Sequence, residues 1–218
     1  MDGNTDRHIV QVVMLAAGGS KRFGQCKLLT PINHDSQPEK SLIEHSLAEV
    51  VSTCEQLSLP APQVVLGGYQ VDISAQLRDK FLHVRQIVNP QWQQGLSSSI
   101  TTAVKLNTQE DHNAPDAIML VLADQIALKS ADYAALISAY LSTKQVTCSE
   151  YQNQLGVPAI FPRSAFNALL SLTGDKGAKS LLTACQKENL IKQVSVAPAA
   201  IDIDTPADLK LWLANKER

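Results

Sequence analysis

The chain has 218 residues, a formal net charge of −2, 44% hydrophobic residues and 18% charged residues. That length and balance fit a globular domain with a sizeable core; they exclude an intrinsically disordered chain and give no electrostatic footprint for nucleic acid. No apolar run approaches the roughly 18–20 residues that a membrane-spanning helix needs, and the cysteines at 26, 54, 148 and 185 form no C-x-x-C, which argues against a disulfide scaffold or zinc knuckle and for reduced thiols in the cytoplasm.

Residues 1–8 (MDGNTDRH) are polar and read as a flexible tail, leaving 9–218 as a single domain. Val10–Leu15 is an apolar run broken only at Gln11, the pattern of a strand buried on both faces. It opens into Ala16-Ala17-Gly18-Gly19, followed by Lys21, Arg22 and Lys27, with no acid between Gly18 and Leu29. Residues 31–40 are polar and rich in turn formers, a loop or short hairpin. Ser41-x-x-Glu44 then reads as a capping box before a helix whose apolar face is Leu42, Ile43, Leu47, Val50, Val51 and Cys54. Further strands are predicted at Gln63–Leu66, His83–Val88, Ala117–Leu122, Val157–Phe161 and Ile191–Val196. Helices are predicted at Val71–Lys80, Ser97–Leu106, Ala131–Leu141, Arg163–Leu170 and Ala178–Glu188, with Asn107–Pro115 as a surface loop. The last helix starts near Pro206, with Thr205 as its N-cap and Asp208 completing a Thr-x-x-Asp box. This alternation predicts an α/β fold: a Rossmann-like, mostly parallel central sheet with helices on both faces.

The first loop is the chemical feature of the N-terminal half. A buried strand ending in glycines exposes several backbone N–H groups at one point, and cations beside those donors make a site for a polyphosphate. It is not a Walker A loop: Gly19 and Gly24 have the right separation, but Gln25 and Cys26 stand where Lys and Ser/Thr are needed. The dinucleotide fingerprint Gly-x-Gly-x-x-Gly is absent too. Cys26, flanked by cations, is either a reactive thiol of lowered pKa or a small loop residue. The five histidines lack metal-ligand spacing.

Two acidic segments answer that loop. The strand Ala117–Leu122 delivers Asp124, followed by Gln125, at its C-terminal end, where ligands of open α/β sheets bind. A carboxylate there is a ligand for Mg²⁺ shared with phosphate oxygens. Far along the chain, alternation puts Asp202 and Asp204 on one face of an extended segment, and either could reach the same metal. Between the first loop and Asp124 in sequence, Asn89, Trp92 and Gly95 precede Ser97-Ser98-Ser99, which open a helix. The serines are either hydroxyl and N–H donors for a base or an ordinary N-cap over a packed Trp92.

The run Leu15-Ala16-Ala17-Gly18-Gly19-Ser20-Lys21-Arg22-Phe23-Gly24-Gln25-Cys26-Lys27 resembles the L-A-A-G-x-S-x-R-(M/F)-G-x-x-K signature of nucleotidyltransferases. Within the MobA-like NTP transferase family it is most similar to the molybdenum cofactor cytidylyltransferases. The resemblance extends through Asn89-x-x-Trp92-x-x-Gly95 with Ser99, Asp124-Gln125, Gly156-Val-Pro158, Leu172-Thr-Gly174-Asp175-Lys-Gly177-Ala178-Lys179 and Asp202 to Leu209. It departs at Ile126, where proline is common, at Lys179 for arginine, at Val157 for histidine, and in the extra residues near 33–40. The resemblance implies a nucleotidyltransferase fold and transfer of CMP from CTP to the terminal phosphate of the molybdopterin cofactor, with Mg²⁺ and release of pyrophosphate. It implies Arg22, Lys27 and Asp124 as catalytic, and Asp124, Asp204 and Asp202 as metal ligands. Leu15, Ala16, Ala17, Gly18, Gly19, Arg22, Lys27, Gly67, Gly95 and Ser99 are expected to bind the nucleotide. The Ala16-Ala17-Gly18 form resembles the CTP-using members, whose GTP-using relatives carry Ala-Gly-Gly. Alternatives are a related enzyme that uses GTP or acts on a sugar or alditol phosphate, and a non-catalytic nucleotide-binding chaperone that carries the cofactor to a molybdoenzyme client.

Overall fold

The computed structural model describes residues 8–32, 40–109 and 114–216. Apart from His8, the expected tail lies outside these residues, as does most of the 31–40 segment. Seven strands form one sheet: β1 (Val10–Ala16), β2 (Gln63–Leu66), β3 (Arg85–Val88), β4 (Ala117–Leu122), β5 (Val146–Tyr151), β6 (Gln154–Pro162) and β7 (Ile191–Ser195), in the order β3-β2-β1-β4-β6-β5-β7. All pairings are parallel except the two made by β6. The helices are α1 (Leu42–Gln56), α2 (Gln70–Leu77), α3 (Leu96–Gln109), α4 (Ser130–Thr143), α5 (Phe166–Leu170), α6 (Lys179–Lys187) and α7 (Pro206–Lys216).

Both faces of the sheet are covered, and every β1 residue but Gln11 is apolar for that reason; Gln11 is buried with its Nε2 donating to the Ala61 carbonyl at 3.0 Å. Val10, Val12, Met14 and Ala16 pack into a core shared with α1, α2, α4 and α7. Val13, Leu15 and Ala17 pack into a second core with α3, α5 and α6. A strand with only one covered face would alternate polar and apolar residues. Each Leu, Ile or Val buried this way is worth about 1.5–3 kcal/mol, so β1 anchors both layers.

The connection order positions the site. The chain runs β1, β2, β3 outward in one direction, then α3 carries it back so that β4 lies on the other side of β1. Leu15 is level with Leu122 across the β1–β4 pair. The loops that leave these two strands therefore emerge side by side at the point where the winding reverses, the place where an open α/β sheet has a crevice.

Several expectations change. β5 was not anticipated. Its Thr147, Cys148 and Ser149 are buried although two of them are polar, because Ser149 Oγ donates to the Pro158 carbonyl (3.0 Å) and Thr147 Oγ1 to that of Gln145 (3.1 Å). β3 starts at Arg85 rather than at residue 83, since the Val84 N–H closes a turn onto the Phe81 carbonyl. The helix expected to stop at Leu106 runs on to Gln109, so Asn107 is helical and buried rather than part of a surface loop. Asn107 and Gln63 exchange two side-chain hydrogen bonds, of 3.0 and 2.8 Å, which satisfy both buried amides. Among the described residues no helix is long and apolar enough to cross a membrane.

Candidate active site

The loop after β1 is pinned before it presents any charge. Phe23 is buried in the first core, and the Ser20 hydroxyl accepts the Lys27 N–H at 3.2 Å. Ser20 takes a left-handed φ of 48°, a conformation uncommon for residues other than glycine. The result is a short return of the chain in which Lys27 points inward while Arg22 stays 72% exposed at the mouth. The neighbouring Cys26 is half-buried, and burial raises its thiol pKa despite two backbone hydrogen bonds that favour the thiolate. It is thus the small loop residue of the two readings, and all four cysteines are free.

The carboxylates come to Lys27 from two other parts of the chain. Asp124 follows β4, and its Oδ2 lies 2.6 Å from Lys27 Nζ. Asp204 precedes α7, and its Oδ1 lies 3.1 Å from the same Nζ while its Oδ2 lies 2.8 Å from the Arg22 guanidinium. Backbone contacts hold the two acidic segments together: the Ile203 N–H donates to the Asp124 carbonyl (3.1 Å), and Ile203 is fully buried. Gln125 tightens this join. Its Nε2 donates to the carbonyls of Val157 and Ala199, each at 2.9 Å, tying the end of β4 to β6 and to the turn leading into Asp204. The Thr205–Asp208 box closes the segment: Thr205 N–H donates to Asp208 Oδ2 at 2.7 Å and Asp208 N–H to Thr205 Oγ1 at 3.3 Å. Burial by itself would lower the Lys27 pKa. The Asp124 charge and hydrogen bond, with those of Asp204, outweigh it, so the ammonium is held above its ordinary value. Asp202 is exposed to solvent on one side. Its carboxyl is pushed up to about 6, first by the crowding of surrounding atoms and then by the charges of Asp124 and Asp204.

Arg22, Lys27, Asp124 and Asp204 line a cleft of about 450 Å³, within the usual size of a small-molecule site. Part of its wall depends on glycines. A Cβ placed on Gly19 would lie 2.8 Å from Trp92, and one on Gly67 would lie 2.6 Å from both Trp92 and the Ala17 carbonyl. The indole therefore rests in a hollow that only glycine leaves open. Beyond it, Asn89 is buried and donates through Nδ2 to Ser98 Oγ (2.8 Å) and Ser99 Oγ (3.0 Å), fixing the first turn of α3 beside the cleft.

Of the residues expected at the site, Leu15, Ala16, Ala17, Gly18, Gly19, Arg22, Lys27, Gly95, Ser99, Asp124 and Asp204 line this cleft. Gly67 does not: it lies behind the wall, against Ala17 and Trp92. Asp202 is not a lining residue either. The cleft also takes in Trp92, Gln93, Leu96 and Asp175, to which the sequence reading assigned no role in binding. For Asp175 the signals were the turn-rich Gly174-Asp175-Lys176-Gly177 and the resemblance of Leu172 to Lys179 to a family segment, neither of which says what the turn faces. Among the described residues no group of three His, Cys, Asp or Glu side chains could hold a metal ion by itself. The donor set is two carboxylates, Asp124 and Asp204, converging on one cation. That fits a hard divalent ion whose other ligands are phosphate oxygens and water.

The MobA-like NTP transferase domain matches residues 12–190. Purine catabolism protein PucB of Bacillus subtilis (strain 168) is 28% identical over 204 residues, 90% of this chain and 92% of that protein. Among solved structures, the homologue of Mycobacterium tuberculosis Rv0371c from Mycobacterium sp. strain JC1 has a TM-score of 0.73 at 28% identity, covering 94% of this chain and 96% of its own. Rv0371c from Mycobacterium tuberculosis H37Rv, solved in complex with manganese, has a TM-score of 0.68 at 21% identity, covering 95% and 98%.

Proposed function

The chain belongs to the MobA-like NTP transferase family, and from that premise we propose that it is a cytidylyltransferase acting in the cytoplasm, transferring CMP from CTP to the terminal phosphate of the molybdopterin cofactor for a molybdoenzyme client. The observation that carries the reading is the convergence of Lys27, Arg22, Asp124 and Asp204 in one cleft at the reversal point of the sheet.

The acceptor is a phosphate monoester, already anionic at neutral pH, so it attacks without a general base. One of its oxygens forms a bond to the α-phosphorus of CTP. The bond from that phosphorus to the oxygen bridging the α- and β-phosphates breaks, and pyrophosphate leaves with the electron pair. What the protein supplies is alignment and relief of repulsion between two polyanions. The N–H groups of Gly18 and Gly19 and the side chains of Arg22 and Lys27 would hold the triphosphate and take up the charge that develops on the departing pyrophosphate. Arg22 suits a forked contact and Lys27 a point charge. Asp124 and Asp204 would hold Mg²⁺, which when bound neutralises charge on the phosphate oxygens. Leu15, Ala16, Gly95 and Ser99 would flank the nucleoside. The preference for CTP rests on the Ala16-Ala17 form of the first loop. The methyl of Ala17 itself is nearly buried, packed against Gly67 behind the wall, so the reading of the base draws on the resemblance of the loop to CTP-using members.

The test is pyrophosphate release with each of the four nucleoside triphosphates, purified molybdopterin cofactor and Mg²⁺. CTP is expected to give the highest rate. Asp124→Asn is expected to lower that rate at least about a hundredfold, the scale of a lost electrostatic contact at a reacting centre. Equal turnover by the variant at saturating Mg²⁺ would remove Asp124 from the reaction, and turnover only with a sugar phosphate would replace the acceptor.

A further inference from the structure

Three carboxylates line the cleft, and two of them, Asp124 and Asp204, are paired with Lys27 and Arg22. Asp175 is the third, and among the described residues it has no ion pair or hydrogen bond. It is nevertheless set in place. The Ser97 N–H of α3 donates to the Gly174 carbonyl at 3.1 Å, and a Cβ on Gly177 would lie 2.7 Å from Leu96 Cδ2, so the turn is fastened to the start of α3 on both sides of Asp175. Gly174 and Gly177 both take positive φ, 73° and 56°, which lets the chain bend twice within four residues. Gly95 completes the arrangement. Its φ is 98°, and a Cβ there would collide with Asp175 Oδ1 and lie 2.8 Å from the Gly174 carbonyl. Only the absence of a side chain at 95 allows the carboxylate to lean against that backbone.

A negative charge in a cleft that receives two polyanions is unfavourable unless something in the substrate compensates it. Phosphate oxygens repel it. The part of the substrate that suits it is uncharged and rich in donors: hydroxyl or N–H groups, to which a carboxylate offers up to four acceptor positions. We propose that Asp175 is a specificity-determining residue of this cleft that accepts hydrogen bonds from neutral O–H or N–H donors of a substrate, beside Gly95 and the first turn of α3. The assignment rests on the nucleotidyltransfer reading and extends it. Two sources have this chemistry, the nucleoside of CTP and the heterocycle of the acceptor, and they are separable.

The experiment compares the wild type with Asp175→Asn, which keeps the shape and removes the charge. Calorimetry with CTP, 2′-deoxy-CTP and inorganic tripolyphosphate in the presence of Mg²⁺ is combined with the KM for the molybdopterin cofactor. A loss of CTP affinity of about tenfold, with tripolyphosphate binding unchanged or tighter, places the donor on the nucleoside; if 2′-deoxy-CTP shows no such loss, the donor is the ribose hydroxyl. A KM for the acceptor raised about tenfold, with kcat and CTP affinity kept, places the donor on the acceptor. Either result supports the assignment. Unchanged CTP affinity and unchanged acceptor KM overturn it, and so does an equal weakening of CTP and tripolyphosphate, which would mean a merely structural role or a metal ligand. Failure of the parent reading looks different: the wild type then binds no nucleoside triphosphate, and the assignment falls with it.

Discussion

Lys27 holds two roles that exclude one another in time. Its ammonium occupies the space between Asp124 and Asp204, 2.6 and 3.1 Å from their oxygens and only 14% exposed. Those carboxylates are the proposed metal ligands, and that ammonium is a proposed triphosphate ligand. Binding therefore exchanges partners: the carboxylates give up a lysine for a divalent ion, and the lysine gives up the carboxylates for phosphate. Removing one member of such a half-buried pair leaves the other uncompensated. Lys27→Ala is thus expected to change two affinities in opposite directions. Binding of CTP with Mg²⁺ weakens about tenfold or more, whereas Mn²⁺ or Mg²⁺ alone binds the nucleotide-free variant more tightly than the wild type. Calorimetric titration reads both. An unaltered CTP affinity would count against the phosphate role, and an unaltered metal affinity against the exchange.

At the level of elements, α1 shows how a local signal becomes a global support. Ser41 and Glu44 form the reciprocal cap: the Ser41 N–H donates to Glu44 Oε2 at 2.7 Å, and the Ser41 hydroxyl accepts the Glu44 N–H. Glu44 is also 2% exposed and ion-paired with Lys80 near the end of α2. Burial by itself raises its pKa, but the hydrogen bonds from Lys80, Ser41 and Gln76 outweigh it and hold the carboxyl below the usual glutamate range. A folded-state pKa below the unfolded value stabilises fully above the ordinary glutamate range, and the benefit disappears as pH falls through the lowered value. Glu44→Gln is therefore expected to cost about 1–2 kcal/mol at neutral pH and progressively less towards pH 3. Urea denaturation of both proteins across that range checks it; a difference independent of pH would contradict the charge-based account. The cap was legible because its two residues stand three apart and need no tertiary context. β1, β2 and β4 were legible because a strand covered on both faces is apolar apart from an isolated polar residue, here Gln11 and Gln63. β5 was not, since its buried Thr147 and Ser149 are satisfied by backbone carbonyls that no pattern in its own sequence reveals. Asn107 misled for the same reason, its partner Gln63 lying 44 residues away. In the cleft, the glycines, cations and Asp124 could be read because each sits just past a readable strand. Asp175 could not, because its turn faces the cleft only through contacts with α3.

At the level of the whole molecule, the cleft exists because the winding direction reverses at β1. Strands β2 and β3 extend to one side, β4 to the other, and the loops from β1 and β4 are left facing each other with nothing between them. The third contributor arrives much later in the chain: Lys27 and Asp204 are 177 residues apart, and Lys27 and Asp124 are 97 apart. Contacts of such separation form after local structure, because the intervening chain must first be ordered. In refolding from urea, the helical circular-dichroism signal is expected to recover before the ability to bind CTP, with the lag visible by stopped-flow; simultaneous recovery would show the cleft to be part of the folding nucleus. On the proposed roles, a polypeptide built this way would gain its metal site only on completion: partially assembled forms, however rich in helix, would lack the two carboxylates side by side.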